Sequence, residues 1–516
     1  MTSGISYIGL DVPRYIVTAD TIATIQNSPA EKIRQGLLVN EFRFAGESDT
    51  VVTLAANNLL RFVEHVANNS ELLNHYKRHR IRGIYLATET SVEGSRPLSM
   101  AVLEIVEPII KKKLDSAAGM QKEAYEMLLE DFRMSDSFET KFACTALLKT
   151  IQLVNNSVEL GALEGALVIG TDIALYDSAK AKNAEATQGA ASTLLYITRD
   201  PLLVKISANS THYNLPTYDF YKPDEHTPRV PSGYGSEVAY VITVASAFKA
   251  FEEKFGIPED FYAISHVPFP KEAYYLASIL YVHLLRSKGK ISELEQQLGE
   301  KEPIGNASNA LELFTKVVRS YADKANGEDL VEHLSNSEEI AKLWAFHKKV
   351  RQTEGFNKFA REIGLDKAIG LPSRIGNSYN NSIIVALMSL LRSAEKIKPI
   401  IMMSYGSGAG STVTIYEPLR IGKEAEKYMD ISSLENRIEI SIEEYKELHE
   451  RLIRKNEFER GKEAYANSKT LEERDRQVLK NKFSNEGFKL LYVDESGRGH
   501  YAFNGEKVKP MPILRY

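Results

Sequence analysis

Short apolar runs rich in β-branched residues alternate along this chain with longer stretches whose apolar residues recur every three or four positions. A period of two and a period of 3.6 belong to different backbones, so the alternation calls for an α/β fold. The runs predicted as strands are ISYIGLDV (5–12), IRGIYLAT (81–88), GALVIGTDI (165–173), STLLYITR (192–199), FYAISHV (261–267), KPIIMMSYG (398–406) and STVTIYEP (411–418). Helical spacing falls over 50–66, 140–155 and 381–393. Several strands are apolar on both faces, which suits a central sheet covered by helices on either side.

At 516 residues the chain exceeds what one core holds, since single cores stop growing near about 250–300 residues. Its net charge of −5 gives no electrostatic case for nucleic acid or an anionic membrane as partner. A single cysteine makes neither an internal disulfide nor a multi-cysteine zinc site, so no metal is expected, and it suits a reducing compartment. MTSGISYIGLDVPRYIV lacks the basic start and continuous apolar run of a signal peptide. No stretch approaches the roughly 18 apolar residues of a membrane span. The expected location is cytoplasmic.

Two regions differ from the rest. From about 272 to 366 the chain reads as helical and polar, with a loop signal at KEPIGNASN (301–309). Its interspersed charges are most simply solvated helix faces. In the region after 421, Ser441 and Glu444 fit a capping box opening a helix with Tyr445, Leu448 and Leu452 on one face. KLLYVD (489–494) and GHYAFN (499–504) then read as a hairpin joined through Glu495, Ser496, Gly497 and Arg498.

Four places carry candidate chemistry. Cys144, in KFACTALLKT, is either inert packing or a nucleophile, because free cysteine is often buried as a small apolar side chain. It precedes a helical run, whose dipole favours the thiolate that attacks acyl groups. Glu89 follows an apolar strand in YLATETSVEGS and is either a general base or an exposed capping residue. His266 ends a strand in ISHVPFPKE, where two prolines stiffen the turn. It is either a donor to a carbonyl oxygen or a structural histidine, and Lys271 beside it is either a phosphate contact or a surface lysine. IGNSYNNS (375–382) places the Asn377 amide at a helix opening, and SYGSGAGS (404–411) lets backbone N–H groups approach a reacting oxygen. The latter lacks the lysine and spacing of a P-loop. Spacing alone does not show that these places converge.

The motifs match a family in order along most of the chain: IGLDVPRYIV (8–17), ATETSVEGS (87–95), KFACTA (141–146), GTDIALYD (170–177) and EATQGAAS (185–192). They continue with YDFYKPD (218–224), SHVPFPK (265–271), GNSYNNS (376–382), SYGSG (404–408) and the closing KLLYVDESGRGHYAFN. The chain resembles 3-hydroxy-3-methylglutaryl-CoA synthase, a condensing enzyme of the thiolase-fold superfamily. The resemblance implies an αβαβα sandwich of two similar halves: residues 1–200 with Glu89 and Cys144, and 201–420 with His266, Asn377 and Ser407. The helical insertion, about 272–366, would lie outside the active centre, and 421–516 would be an extension packed on the core.

It further implies that Cys144 accepts the acetyl group, Glu89 is the general acid/base and His266 meets the acetoacetyl group. Tyr176 would line the acetyl site, Thr187, Ser236, Asn377 and Ser407 would contact ligand, and Lys271 would contact CoA. The implied reactants are acetyl-CoA and acetoacetyl-CoA as substrates with no resident cofactor. The implied assembly is a homodimer, with an acetoacetyl-CoA thiolase as a candidate partner. Two departures stand out: the family usually has Asp-Gly before the serine matched by Ser236, where this chain reads PSGYGS (231–236), and Tyr275 stands where a second basic residue often follows Lys271. Alternatives are a carrier-protein-dependent relative of polyketide β-branching, and a non-enzymatic thiolase-fold scaffold subunit.

Overall fold

The computed structural model describes residues 2–181, 184–222, 227–299, 317, 330–455, 459, 462–463, 486–494 and 497–509. A ten-stranded mixed sheet organises it. From one edge to the other its strands are Asp136–Thr140, Ile81–Ala87, Gly165–Ala174, Gly189–Arg199, Ser3–Asp11, Val204–Asn214, Gly410–Pro418, Ile400–Gly406 and Tyr262–Ser265. Met429–Asp430 pairs alongside Ser3–Asp11. The path narrows in the middle, where Ser3–Asp11 and Val204–Asn214 share only the pairs Gly4–Lys205 and Ile5–Val204. That narrow join separates an N-terminal from a C-terminal set of strands.

The strands predicted from the apolar runs are present. Val204–Asn214 and Asp136–Thr140 were not legible, because alternate positions are polar and exposed or half-exposed. The helix predicted over 140–155 begins only at Ala146. Residues 136–140 are a strand, and Ala143 between the two takes a positive φ of 41°.

Helices layer the sheet. Ala146–Glu159 and Ser382–Ser393 share one apolar core with strands of both sets and lie between them. Every residue from Ser382 to Leu391 is buried, as a helix apolar all round must be. Val51–Asn68, Leu98–Ser116 and Gly119–Met134 cover the outer face of the N-terminal set. Gly233–Phe255 and Pro270–Ser287 cover the outer face of the C-terminal set. The result is the αβαβα sandwich of the thiolase-like fold.

The insertion is helical where it is described, and the loop expected at 301–309 lies outside the described residues. Most of its described charges face solvent, though Glu272 is buried, and Glu338–Val350 also buries Ile340, Leu343, Phe346, His347 and Val350. These join the outer core of the C-terminal set, so the segment is an extension of that core rather than an attached solvated arm. In the C-terminal region Ser441 and Glu444 form the capping box, and helix Ile442–Arg454 buries Tyr445, His449 and Leu452. Phe488–Val493 and Gly499–Phe503 form the hairpin, with 495–496 outside the described residues. Among the described residues no helix is long and apolar enough to cross a membrane.

Candidate active site

Parallel pairing brings the two acidic and sulfur-bearing motifs together. Ile81–Ala87 runs parallel to Asp136–Thr140 with Ala87 opposite Thr140, so Glu89 and Cys144 both leave the sheet at the same edge. Cys144 Sγ donates to Glu89 Oε1 at 3.3 Å. The turn before Cys144 is strained: Ala143 sits in the left-handed region at φ 41°, and Tyr379, in the same small apolar cluster as Cys144, has φ 48°. Each such residue costs about 1–3 kcal/mol, which surrounding contacts must hold in place.

A second parallel pair repeats the arrangement in the C-terminal set. Tyr262–Ser265 runs beside Ile400–Gly406 with Ser265 opposite Met403, which sets His266 next to SYGSG. His266 N donates to Met403 O at 2.8 Å and its carbonyl accepts from Tyr240 Oη at 3.1 Å. Ser404 hydrogen-bonds Thr145, the neighbour of Cys144, joining the two strand ends. Gly406 permits that contact, since a Cβ there would meet Phe142 O at 2.8 Å and Thr145 N at 2.9 Å.

Asp172 ties the halves. Its Oδ1 accepts from Thr88 Oγ1, Glu89 N and Thr90 Oγ1, each at 2.9 Å. Its Oδ2 accepts from Asn380 N at 3.2 Å and Asn380 Nδ2 at 3.1 Å. Asn380 Oδ1 in turn accepts from Leu147 N at 2.9 Å, on the helix that follows Cys144. One buried carboxyl group therefore registers Glu89, the helix after Cys144 and the Asn377 loop.

Asn377 Nδ2 donates to Tyr176 Oη at 3.0 Å, while its Oδ1 accepts from Tyr379 N at 2.9 Å and Ser382 Oγ at 3.2 Å. Tyr176 and Tyr379 pack around Cys144 in one small apolar cluster. Thr187 does not offer its hydroxyl, which donates to Ala184 O at 2.7 Å, but its carbonyl accepts from Asn377 N at 2.9 Å. Ser236 Oγ donates to Asp219 Oδ2 at 3.1 Å. Asp219 also takes the Tyr405 hydroxyl and Gly408 N, the latter at 2.8 Å, and so fixes the loop that carries Ser407. Lys271 stands apart from this centre at the start of helix Pro270–Ser287, its Nζ 5.7 Å from the Tyr274 ring centroid.

Burial and neighbouring acids set the protonation states. Burial and then the Asp172 charge push the Glu89 carboxyl up to about 8, against smaller opposing effects of the Cys144 hydrogen bond and Lys222. Asp172 itself rises to about 6 through burial, held back by its hydrogen bonds. The helix-dipole expectation for Cys144 is overturned. Burial first, then the charges of Glu89 and Asp172, push its thiol well above the ordinary range. Thr145 caps the helix and Cys144 lies outside it, so the dipole loses to the carboxylates. Burial lowers His266 to about 3, so its imidazole is neutral at physiological pH. Its Nδ1 is buried without a hydrogen-bond partner among the described residues, and it packs near the Tyr405 ring.

Residues not named as candidates for the site are Asp172, Asp219, Tyr379, Asn380, Tyr445 and His449, of which Tyr445 was read only as part of a helix face. The first four lie inside the matched motifs GTDIALYD, YDFYKPD and GNSYNNS, where the signal was present. The last two come from the C-terminal helix. Tyr445 Oη donates to Glu185 Oε1 at 2.7 Å and accepts from Gln188 Nε2 at 2.9 Å. Gln188 Oε1 accepts from Tyr176 N at 3.0 Å, and His449 Nε2 lies 3.0 Å from Tyr176 O. Among the described residues no three His, Cys, Asp or Glu side chains group closely enough to hold a metal ion.

Residues 204–502 match the family described as Hydroxymethylglutaryl-coenzyme A synthase C terminal. The chain belongs to the hydroxymethylglutaryl-CoA synthase family. Hydroxymethylglutaryl-CoA synthase of Haloferax volcanii is 25% identical over 453 residues, 86% of this chain and 88% of that one. The enzyme of that name from Enterococcus faecalis is 22% identical over 456 residues, 86% and 91% of the two chains. Among solved structures, MvaS in complex with 3-hydroxy-3-methylglutaryl coenzyme A aligns with TM-score 0.65 at 19% identity, covering 98% of this chain and 99% of that one. The HMG synthase of the Curacin biosynthetic pathway aligns with TM-score 0.60 at 16% identity, covering 87% and 88%. These structural likenesses establish the fold. Members of the family are acyl-transferring condensing enzymes.

Proposed function

We propose that this chain condenses acetyl-CoA with acetoacetyl-CoA and water to give 3-hydroxy-3-methylglutaryl-CoA and CoA, through an acetyl-Cys144 thioester. The observation that carries the reading is the 3.3 Å contact between Cys144 Sγ and Glu89 Oε1, made by two separate strand ends in a largely buried site. The thiol loses its proton to Glu89 as sulfur attacks the acetyl carbonyl, and the departing CoA sulfur takes that proton. Glu89, now a carboxylate, removes a proton from the acetyl methyl group. A carboxyl raised to about 8 is a stronger base than an ordinary one, which suits carbon acids. The new carbanion bonds C3 of acetoacetyl-CoA, and the removed proton ends on the C3 oxygen. Neutral His266, with an unspent ring nitrogen, supplies a donor for the charge developing there. Water then cleaves the enzyme thioester.

The contacts support the proposed binding roles. Tyr176 and Asn377 form the wall beside the acetyl group, Ser407 lies on the loop held by Asp219, and Ser236 and Thr187 act through the partners they fix. Lys271 meets CoA from the rim. We propose a role in isoprenoid precursor synthesis, a cytoplasmic location and a homodimeric assembly, with an acetoacetyl-CoA thiolase supplying one substrate. A second reading has the acetyl group arrive on a carrier protein, as in the solved complex of the Curacin pathway HMG synthase with acetyl donor-ACP, whose fold this chain shares. Turnover of acetyl-CoA measured against acetyl-carrier protein separates the two. For the reaction itself, labelled acetyl-CoA is incubated with the parent and with Cys144→Ala, and covalent label is read by mass spectrometry. Label retained on Cys144→Ala at parental stoichiometry excludes the thioester.

A further inference from the structure

Arg351 carries charge from the insertion back to the rim of the site. It caps the C-terminal end of helix Glu338–Val350. Its guanidinium lies over the Tyr275 ring, 4.4 Å from the centroid. Tyr275 stands one turn after Lys271 on helix Pro270–Ser287, so 271, 275 and 278 share a face. Arg351 Nη1 also reaches Ser278 Oγ on that face, at 3.4 Å. The same guanidinium is close enough to Lys271 that, after burial, its charge is the second influence lowering the lysine's basicity.

Arg351 feels the charges of Tyr275, Glu272 and Glu237 without a close contact to either carboxyl among the described residues. Its hydrogen bond to Ser278 is long, and no described carboxylate forms an ion pair with it. The nearest acids are Glu272 and Glu237. Both Glu272 oxygens are buried without a partner among the described residues. Burial moves both acids toward the neutral form, Glu237 up to about 7 and Glu272 further. Two cations held on one helix face repel each other until an anion joins them. A planar guanidinium stacked on a ring keeps its edge N–H groups free, which fits phosphate oxygens.

We infer that Arg351 and Lys271 form a phosphate-binding pair for the acyl donor, with Arg351 supplied across the Tyr275 ring by the insertion. The ligand is a phosphorylated pantetheine thioester; the phosphate belongs either to the nucleotide end of CoA or to the pantetheine arm. The inference rests on the acyl-transfer reading above. It gives the insertion a part in substrate recognition that its place outside the catalytic centre does not suggest.

The test compares the parent, Arg351→Gln and Arg351→Lys, using acetyl loading of Cys144 by acetyl-CoA, 3′-dephospho-acetyl-CoA and phosphate-free acetyl-pantetheine. Arg351→Gln is expected to raise KM for acetyl-CoA about tenfold, the loss of one charge-assisted hydrogen bond, with kcat for loading little changed. KM for acetyl-pantetheine should stay at the parental value, and Arg351→Lys should recover part of the loss. A defect that the dephospho substrate abolishes assigns the 3′-phosphate, and one that it retains assigns a phosphate nearer the pantetheine; both support the pair. Equal losses on acetyl-CoA and acetyl-pantetheine, or no loss on either, overturn it. Titration calorimetry of CoA against pantetheine makes the same comparison without chemistry. A parent that binds CoA but fails to condense acetoacetyl-CoA would therefore remove the proposed function and leave the phosphate pair standing.

Discussion

Glu89 accepts the thiol hydrogen of Cys144 while its own peptide N–H is held by Asp172, so Cys144, Glu89 and Asp172 form one continuous hydrogen-bonded line. Charge on any member raises the cost of charge on the next. The site at rest therefore stores a proton on the Cys144–Glu89 pair rather than a free thiolate.

The first consequence concerns the thiol. In Glu89→Gln the negative neighbour is gone, so Cys144 should ionise at lower pH than in the parent. Alkylation by iodoacetamide followed against pH should show its rise displaced toward acid. The same variant should still accept label from acetyl-CoA yet condense about 10²–10⁴-fold more slowly, the usual loss when a general base is removed. An unmoved alkylation profile would mean that the carboxylate does not control the thiol.

Stability should move with the same carboxyl. An ordinary Glu titrates near 4.5, whereas folded Glu89 does so at about 8, so between those values the native state holds a proton that the unfolded chain has released. Stability contributed by this group thus falls as pH rises from about 4.5 to about 8. Glu89→Gln should melt close to the parent at pH 4 and above it at pH 8.5. Thermal unfolding at the two values checks the sign.

Asp172→Asn removes the like charge that helps raise Glu89. The acid limb of the kcat/KM profile should move to lower pH, because Glu89 then ionises more easily. Activity should also drop at the optimum, since an amide cannot accept from all five donors that Asp172 now satisfies. A variant with lower activity but an unmoved limb would give Asp172 a positioning role only.

Tyr445, on helix Ile442–Arg454, reaches Gln188, whose side chain in turn holds Tyr176 N. Tyr445→Phe leaves Gln188 and Glu185 without their shared partner, a loss of about 1–3 kcal/mol for buried polar groups. Because Gln188 also holds Tyr176, KM for acetyl loading should rise along with the fall in unfolding free energy. Denaturant unfolding and loading kinetics on one preparation read both effects.

The insertion should behave as core. Phe346→Ala, at a site 2% exposed, should cost about 3–5 kcal/mol. Acetyl loading of Cys144 from phosphate-free acetyl-pantetheine, at a temperature where the variant is folded, should match the parent. A loading defect in a folded Phe346→Ala protein would tie this helix to the active centre itself.

By itself, the sequence determined the layers and the chemistry. Period-two apolar runs can bury only as sheet, and Ser382–Leu391, apolar all round, can only be interior helix. Cys144, Glu89 and His266 stood out at or just beyond predicted elements, but local spacing left each open between a chemical and a structural role, and only the family resemblance gave them roles. What no local pattern holds is the pairing between distant strands. Only the register of Ala87 with Thr140, and of Ser265 with Met403, decided that these ends meet. The protonation states followed from that meeting: a thiol preceding a helix reads as acidified until two buried carboxylates are set beside it. The same holds for Arg351, which sequence places 80 positions from Lys271 and which only packing of the inserted helix returns to it. Charge–charge effects depend on distance and burial, and both are properties of the folded chain.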